Sequence, residues 1–197
     1  DNKAFMSGDQ SQLVTLDSMI RLFNNQPLAF EPGSRFSYSN SGYTLLGYII
    51  EKVTGKSYQH VLNKLILKPL HLRHSGYDYL ALKDINKTIC YLQYGSGGFT
   101  KANPVHPSIL YTTGALYSTT GDLYKWHQAL MGNRFLSAAS IQLLYTPYSG
   151  RYGYGWQIDS LYNKKRVSHS GNVAGFKSHI NRIPEDDICV IILSNSM

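Results

Sequence analysis

The stretch that decides the fold runs from residue 31 to residue 55 and reads EPGSRFSYSNSGYTLLGYIIEKVTG. Its Pro32-Gly33 pair is typical of a tight turn, because proline presets one turn position and glycine accepts a positive φ. Gly55 stands where a C-terminal helix cap is expected. Between them, apolar side chains recur at helical spacing, at Tyr43, Leu46, Ile50 and Val53. The stretch therefore predicts a turn, the polar segment Tyr38-Ser39-Asn40, and a helix over 41–54.

Cap residues and hydrophobic spacing predict further helices, at 16–23, 58–67, 120–131 and 138–145. Residues 75–113 are rich in Gly, Tyr, Asn and Pro, and we expect them to form a long irregular loop, which in a compact domain is usually functional. The last third changes to the spacing of strands, expected at 152–160, 165–169, 175–183 and 188–194.

Helices followed by a run of antiparallel strands indicate an α+β fold. We expect one partial domain over residues 1–197, with a helical and loop part at about 1–148 and an antiparallel sheet at about 149–197. The net charge of +7 favours anionic partners. However, the longest basic run is Lys164-Lys165-Arg166, and basic helices and aromatic RNA-binding signatures are absent, so no nucleic-acid partner is expected.

Tyr38 and Asn40 are the first candidates for chemistry. A phenol close to a cation ionises more easily and can then remove a proton from a serine hydroxyl. Asn40, two residues further on, would point the same way in an extended stretch and could hold a substrate amide. The alternative is structural: Tyr38 packs over the start of the helix, and Asn40 caps it.

A second polar group, His169-Ser170-Gly171, ends one predicted strand and precedes Asn172. The histidine can supply partial positive charge, the Ser170 hydroxyl can bind a carboxylate, and Gly171 lets a ligand approach the strand edge closely. The alternative is a strand-end histidine followed by a small turn. His71 and His74 are three residues apart, but no third ligand is nearby, so we expect no metal site there.

Taken together, these segments resemble the serine β-lactamase and penicillin-binding-protein superfamily, and within it the branch of class C β-lactamases and D-alanyl-D-alanine carboxypeptidases. The segments that carry the resemblance occur in the same order along most of the chain, at 30–43, 45–47, 53–58, 68–70, 114–123, 152–156, 169–171 and 175–176. The resemblance implies a helical subdomain plus an antiparallel sheet of the β-lactamase/transpeptidase-like fold. It also implies catalysis through an acyl-enzyme.

Three signatures mark that superfamily: Ser-x-x-Lys, which carries the acylated serine, then Tyr-x-Asn, and then Lys-Thr-Gly or a variant. By resemblance, Tyr38 and Asn40 match the second and are catalytic, together with His169 of the third. Ser170, Gly171 and Asn172 would bind substrate, and the Asn172 amide would donate to the oxyanion. No cofactor is implied. The implied substrates are D-alanyl peptides, β-lactams or small esters, and the implied location is the periplasm, the cell surface or the medium.

Two departures from the pattern shape the functional expectation. His169 stands where class C β-lactamases have lysine. A histidine at this position resembles D-alanyl peptidases, D-aminopeptidases and some esterases of this branch. A neutral imidazole attracts an anionic substrate less than an ammonium does. In addition, no lysine in the sequence has a serine three residues before it. We therefore expect a fragment, truncated at both ends, that lacks the nucleophile and is inactive alone.

Such a fragment would expose sheet edges through which it could form oligomers. Two alternatives to a β-lactamase or D-alanyl peptidase remain. One is an esterase or D-aminopeptidase on the same scaffold, and the other is a catalytically silent binding or scaffolding protein.

Overall fold

A computed structural model describes residues 12–196 of the chain, apart from residues 86, 94, 96, 133, 134 and 174. Its helices are α1 (Leu16–Arg21), α2 (Asn40–Thr54), α3 (Tyr58–Leu62), α4 (Pro107–Gly114), α5 (Thr120–Met131) and α6 (Ala138–Leu144). Its strands are β1 (Tyr91–Gln93), β2 (Phe99–Lys101), β3 (Gln157–Leu161), β4 (Lys164–Val173), β5 (Phe176–Ile183) and β6 (Ile188–Ser194). None of the helices in the described ranges is both long enough and apolar enough to span a bilayer.

Hydroxyl side chains cap five of the described helices, α1, α2, α3, α5 and α6. The Ser39 Oγ accepts a hydrogen bond from the Gly42 amide at 3.0 Å, and Gly55 ends α2 in a left-handed conformation with φ of 63°. The hydroxyls that precede α1, α3, α5 and α6 do the same, at Thr15, Ser57, Thr119 and Ser137. Because each cap satisfies an amide that the helix cannot, the sequence predicts these helix starts to within one residue.

The helix predicted over 58–67 is continuous only in part. Its α-helical hydrogen bonding ends at Leu62, and residues 63–67 form a π-helical turn in which the Lys68 amide donates to the Asn63 carbonyl at 3.0 Å. Pro69 follows directly, and its ring would clash with the preceding turn of a continuing α-helix. The wider turn therefore carries the backbone out of the helix.

The prediction of an irregular loop over 75–113 is wrong in two places. Strands β1 and β2 form an antiparallel pair, but each has only three residues, which is too short for a period-two pattern to show. Helix α4 starts at Pro107, with His106 as its cap, and is interrupted at Tyr111, whose φ is 38°. The Gly-, Tyr- and Pro-rich composition conceals this helix because its only apolar run is short.

The strand predicted over 152–160 begins later than expected, at Gln157. The five residues before it form a tight turn, in which Gly155 has a φ of 82° that a strand does not allow. Conversely, β4 extends past the predicted end at His169 to Val173. Gly171 lies inside the strand, and a side chain there would crowd β5, since a Cβ would come within 2.6 Å of the Ser178 Oγ.

Four antiparallel strands form the main sheet in the order β3-β4-β5-β6. Strand β3 pairs with the first half of β4, from Lys164 to Ser168. The second half, His169–Val173, pairs with β5. Within the described residues no pairing covers the other side of this second half, so β4 carries an open edge at its end.

One face of the sheet is buried against α5, α6 and the turn before β3. Its core cluster consists of apolar side chains that are less than a tenth exposed: Leu130, Tyr145, Trp156, Ile158 and Val167. Arg182 is fully buried beside them, and its Nε donates a hydrogen bond to His127 Nδ1 at 2.8 Å. This packing fixes the sheet relative to α5 and α6.

Candidate active site

Tyr38 and Asn40 lie at the entrance to α2. Tyr38 is 53% exposed, and Asn40 is the exposed first residue of the helix. The residue that caps the helix is Ser39, so the alternative in which Asn40 is the cap is wrong. The expectation that Asn40 continues an extended stretch after Tyr38 is also wrong, because the helical conformation already begins at Asn40.

The structure brings Tyr38 and His169 together across 131 residues of sequence. Their ring centroids are 6.3 Å apart, with the planes tilted by 39°. Tyr38 is held by the capped start of α2, and His169 is the first residue of β4 beyond its pairing with β3. Two polar groups that the sequence suggests separately therefore share one site at the open edge of the sheet.

Tyr152 forms an aromatic cluster with Tyr38 and His169. Sequence reasoning did not select it as a site residue. Its hydroxyl lies 2.9 Å from His169 Nε2, and its ring packs edge-on against Tyr38 at 5.8 Å and stacks on Phe36 at 5.2 Å. The available signal was the resemblance of residues 152–156 to the superfamily. That resemblance identified the segment but gave its tyrosine no role, because a predicted strand does not place the side chain.

Burial determines the electrostatics of the cluster. Burial lowers the pKa of His169, and nearby His179 acts in the same direction, while a hydrogen-bonding contact with the Ser170 backbone opposes the shift. Burial likewise raises the pKa of Tyr152, and the phenols of Tyr43 and Tyr38 add to that shift. At neutral pH the site therefore presents a neutral imidazole beside a protonated phenol.

Ser170, Gly171 and Asn172 occupy the outer half of β4, and all three are exposed. Because side chains alternate along a strand, Ser170 and Asn172 lie on the face opposite to His169. On that face Ser170 pairs with His179, and Asn172 pairs with Lys177. These side chains line a groove of about 510 Å³. The predicted set is thus divided: His169 lies with Tyr38, while the side chains of Ser170 and Asn172 lie across the strand.

The division leaves the backbone of these residues at the open edge. An oxyanion donor at Asn172 would be an amide N–H, so its role does not depend on where the side chain points. The open edge also offers N–H and C=O groups to an extended ligand. In the described part of the chain, no group of three or more His, Cys, Asp and Glu residues is placed to hold a metal ion.

Comparison with known proteins agrees with this architecture. The family model described as Beta-lactamase matches residues 1–197. Penicillin-binding protein 4* of Bacillus subtilis (strain 168) is 28% identical over 223 aligned residues, which cover 97% of this chain and 47% of that protein. The chain thus spans about half the length of this curated relative.

Solved structures show the same fold. The octameric penicillin-binding protein homologue from Pyrococcus abyssi superposes with a TM-score of 0.85 at 31% identity, over 98% of this chain and 46% of that one. The penicillin-binding protein from Bacillus halodurans gives a TM-score of 0.85 at 26% identity, over 100% of this chain and 63% of that one. The predicted α+β fold is confirmed, and the chain belongs to the β-lactamase family, the superfamily of penicillin-binding proteins and serine β-lactamases.

Proposed function

We propose that this chain supplies the proton-transfer and substrate-binding part of a serine acyl-hydrolase site. The observation that supports this most directly is the approach of Tyr38 to His169 at the open edge of β4, with ring centroids 6.3 Å apart. The acylated serine would come from a Ser-x-x-Lys motif, which these 197 residues do not contain. Activity is therefore a property of the whole protein in which the chain occurs.

The mechanism proceeds in two stages. A serine hydroxyl attacks the carbonyl of an amide or ester, Tyr38 accepts its proton, and the same proton passes to the leaving group as the acyl-enzyme forms. The backbone amide of Asn172 is one of two donors to the oxyanion, and a single such donor is worth about 10²–10³ in rate. Water then releases the acyl group, with Tyr38 acting as base again.

The remaining residues bind substrate. Asn40 holds the acyl amide, and His169 binds the leaving side or a carboxylate. The predicted share of Ser170 in that role is dropped, because its side chain lies on the opposite face of β4. An extended substrate would add to the open edge beside Gly171, where the strand carries no side chain to obstruct it. The substrates proposed are D-alanyl peptides, β-lactams or small esters, and no cofactor takes part.

Acylation of the whole protein tests the proposal. It should be labelled by a fluorescent penicillin, a nitrophenyl ester or a D-alanyl-D-alanine peptide, and mass spectrometry should place the acyl group on the serine of a Ser-x-x-Lys motif. These 197 residues alone should form no adduct. A stable acyl adduct on the chain alone, or a whole protein without a Ser-x-x-Lys serine, contradicts the proposed mechanism.

The same assay separates the two other functions. Turnover of the ester or of a D-amino-acid amide, without reaction of the β-lactam, indicates an esterase or a D-aminopeptidase. The absence of a Ser-x-x-Lys pattern from these residues favours a silent binding or scaffolding role if the whole protein also lacks it. Binding of the same compounds without acylation supports that role.

Two further proposals concern assembly and location. On the face of the sheet away from α5, large apolar side chains of β6 are exposed: Ile188 at 45%, Val190 at 49% and Ile192 at 56%. Because exposed apolar patches mark contact surfaces, we propose that this face contacts another segment or subunit in the whole protein. By resemblance to the family, we also propose a location in the periplasm, at the cell surface or in the medium, and fractionation of the producing cells tests it.

A further inference from the structure

The contact between Tyr152 and His169 joins two groups that can each donate or accept a hydrogen bond. The Tyr152 hydroxyl oxygen lies 2.9 Å from Nε2 of the imidazole, well within hydrogen-bond distance. A neutral histidine protonates only one ring nitrogen, and the hydrogen bond made by one nitrogen determines which of the two carries the proton. The direction of this hydrogen bond therefore determines what His169 presents to the site.

The relative acidity of the two groups favours one direction. A phenol O–H is a stronger acid than the N–H of a neutral imidazole, and the unprotonated ring nitrogen is a stronger acceptor than a phenol oxygen. Because the contact is made through Nε2, the Tyr152 hydroxyl is the expected donor and Nε2 the acceptor, which leaves the proton of the neutral ring on Nδ1.

Tyr152 is well suited to be the donor. Burial and the neighbouring phenols of Tyr43 and Tyr38 raise the pKa of Tyr152, so its hydroxyl keeps its proton throughout the physiological range. It is also held rigidly. A Cβ at Gly153 would lie 2.7 Å from the Leu144 carbonyl oxygen, so the backbone after Tyr152 is packed tightly against the core.

We propose that Tyr152 is a positioning residue, whose hydroxyl donates to Nε2 of His169 and fixes the imidazole as the neutral Nδ1–H tautomer beside Tyr38. The functional consequence rests on the proposed hydrolase function. In such a hydrolase, the motif His169-Ser170-Gly171 contributes no cation to the site. A substrate group near His169 meets a neutral, oriented ring. The site should therefore accept uncharged leaving groups, such as amides and esters, better than one with an ammonium at this position.

Nuclear magnetic resonance of protein labelled with ¹⁵N-histidine tests the assignment without any turnover. The chain has seven histidines, and His169→Gln identifies the signal by its loss. In the wild-type protein at neutral pH, the His169 signal should show a protonated Nδ1 and an unprotonated Nε2. In Tyr152→Phe the preference for Nδ1–H should be lost, because the donor to Nε2 is removed and the ring packing is kept.

Tyr154→Phe is the matched control. Tyr154 lies two residues away in the same segment and is 59% exposed, so the tautomer of His169 should not change. A wild-type signal with the proton on Nε2 overturns the assignment even if Tyr152→Phe fails to fold. A folded Tyr152→Phe variant that keeps the wild-type tautomer overturns it as well. If the whole protein is not acylated but His169 shows the Nδ1–H tautomer, the result contradicts the proposed function and leaves the tautomer assignment standing.

Discussion

The two halves of β4 have opposite characters. The first half, Lys164–Ser168, pairs with β3, and Val167 within it is fully buried in the core cluster. The second half, His169–Val173, pairs with β5 alone and exposes Ser170, Gly171 and Asn172. One strand is thus anchored in the core at one end and presents its backbone and the His169 imidazole at the other. The backbone of an open strand edge can therefore hold a fixed position when the preceding half of the strand is anchored in a rigid core.

The end of the open half is fixed by a turn at Gly175. Its φ is 84°, and a Cβ there would lie 2.8 Å from the Tyr91 carbonyl oxygen and 2.9 Å from the Tyr91 amide nitrogen. The Tyr91 amide in turn donates to the Asn195 carbonyl at 2.8 Å. The turn that precedes β5 is therefore clamped against the first residue of β1.

Gly175→Ala is expected to have the largest effect on stability. The alanine must adopt a left-handed conformation and must also displace backbone, so we expect a loss of about 3 kcal/mol in the free energy of unfolding. Denaturant unfolding measures the loss. Gly33→Ala is the control, since Gly33 has a φ of 82° but no atom within 4 Å of the place that a Cβ would occupy, and it should cost only about 1 kcal/mol. Equal losses in the two variants argue against a clamped turn.

Val167→Ala should cost about 2 kcal/mol, because it leaves a cavity in a fully buried site. The companion change Val173→Ala, in the open half of the same strand, removes the same two methyl groups from a partly exposed position and should cost about half as much. Thermal and denaturant unfolding of both variants measure the difference. If Val173→Ala is the more destabilising change, the division of β4 into an anchored and an open half is incorrect.

Acidification should lower the free energy of unfolding through His127, which lies in α5. Burial lowers the pKa of His127, and the Arg182 guanidinium adds to the shift, while Asp187 opposes it. The unfolded chain therefore binds a proton near pH 6.5 that the folded protein does not bind until lower pH. The free energy of unfolding should fall as the pH drops below about 6.5, and it should be fully present above that value.

Unfolding titrations at pH 7.5 and 5.5 measure this effect. Part of the loss on acidification should disappear in His127→Gln, which removes the titrating ring, and should persist in His60→Gln, which changes an exposed histidine. His169 shares the direction of the shift, so some acid sensitivity should remain in His127→Gln. A full loss in His127→Gln, equal to that of the wild type, removes His127 from the explanation.

The sequence predicts α2 and the segment that leads into it well, because the turn, the caps and the apolar spacing all act locally around Ser39 and Gly55. It also places Tyr38 and His169 in one site through their resemblance to two ordered motifs. It misses Tyr152, because the glycines after it form a turn that strand periodicity conceals. The separation of Ser170 from His169 across β4 follows only from knowing that the strand continues through Gly171. Contacts between distant segments decide both of these features.

Acylation of the Tyr38→Phe variant of the whole protein tests the proposed role of Tyr38 most directly. Removing the hydroxyl keeps the ring contacts of Tyr38 but deletes its proton transfer, so the rate of acylation by a penicillin or ester should fall about 10²–10⁴-fold. Tyr148→Phe, at a tyrosine that is 87% exposed, should acylate at the wild-type rate. A large loss confined to Tyr38→Phe is the expected result, and acylation of Tyr38→Phe at the wild-type rate contradicts proton transfer by this phenol.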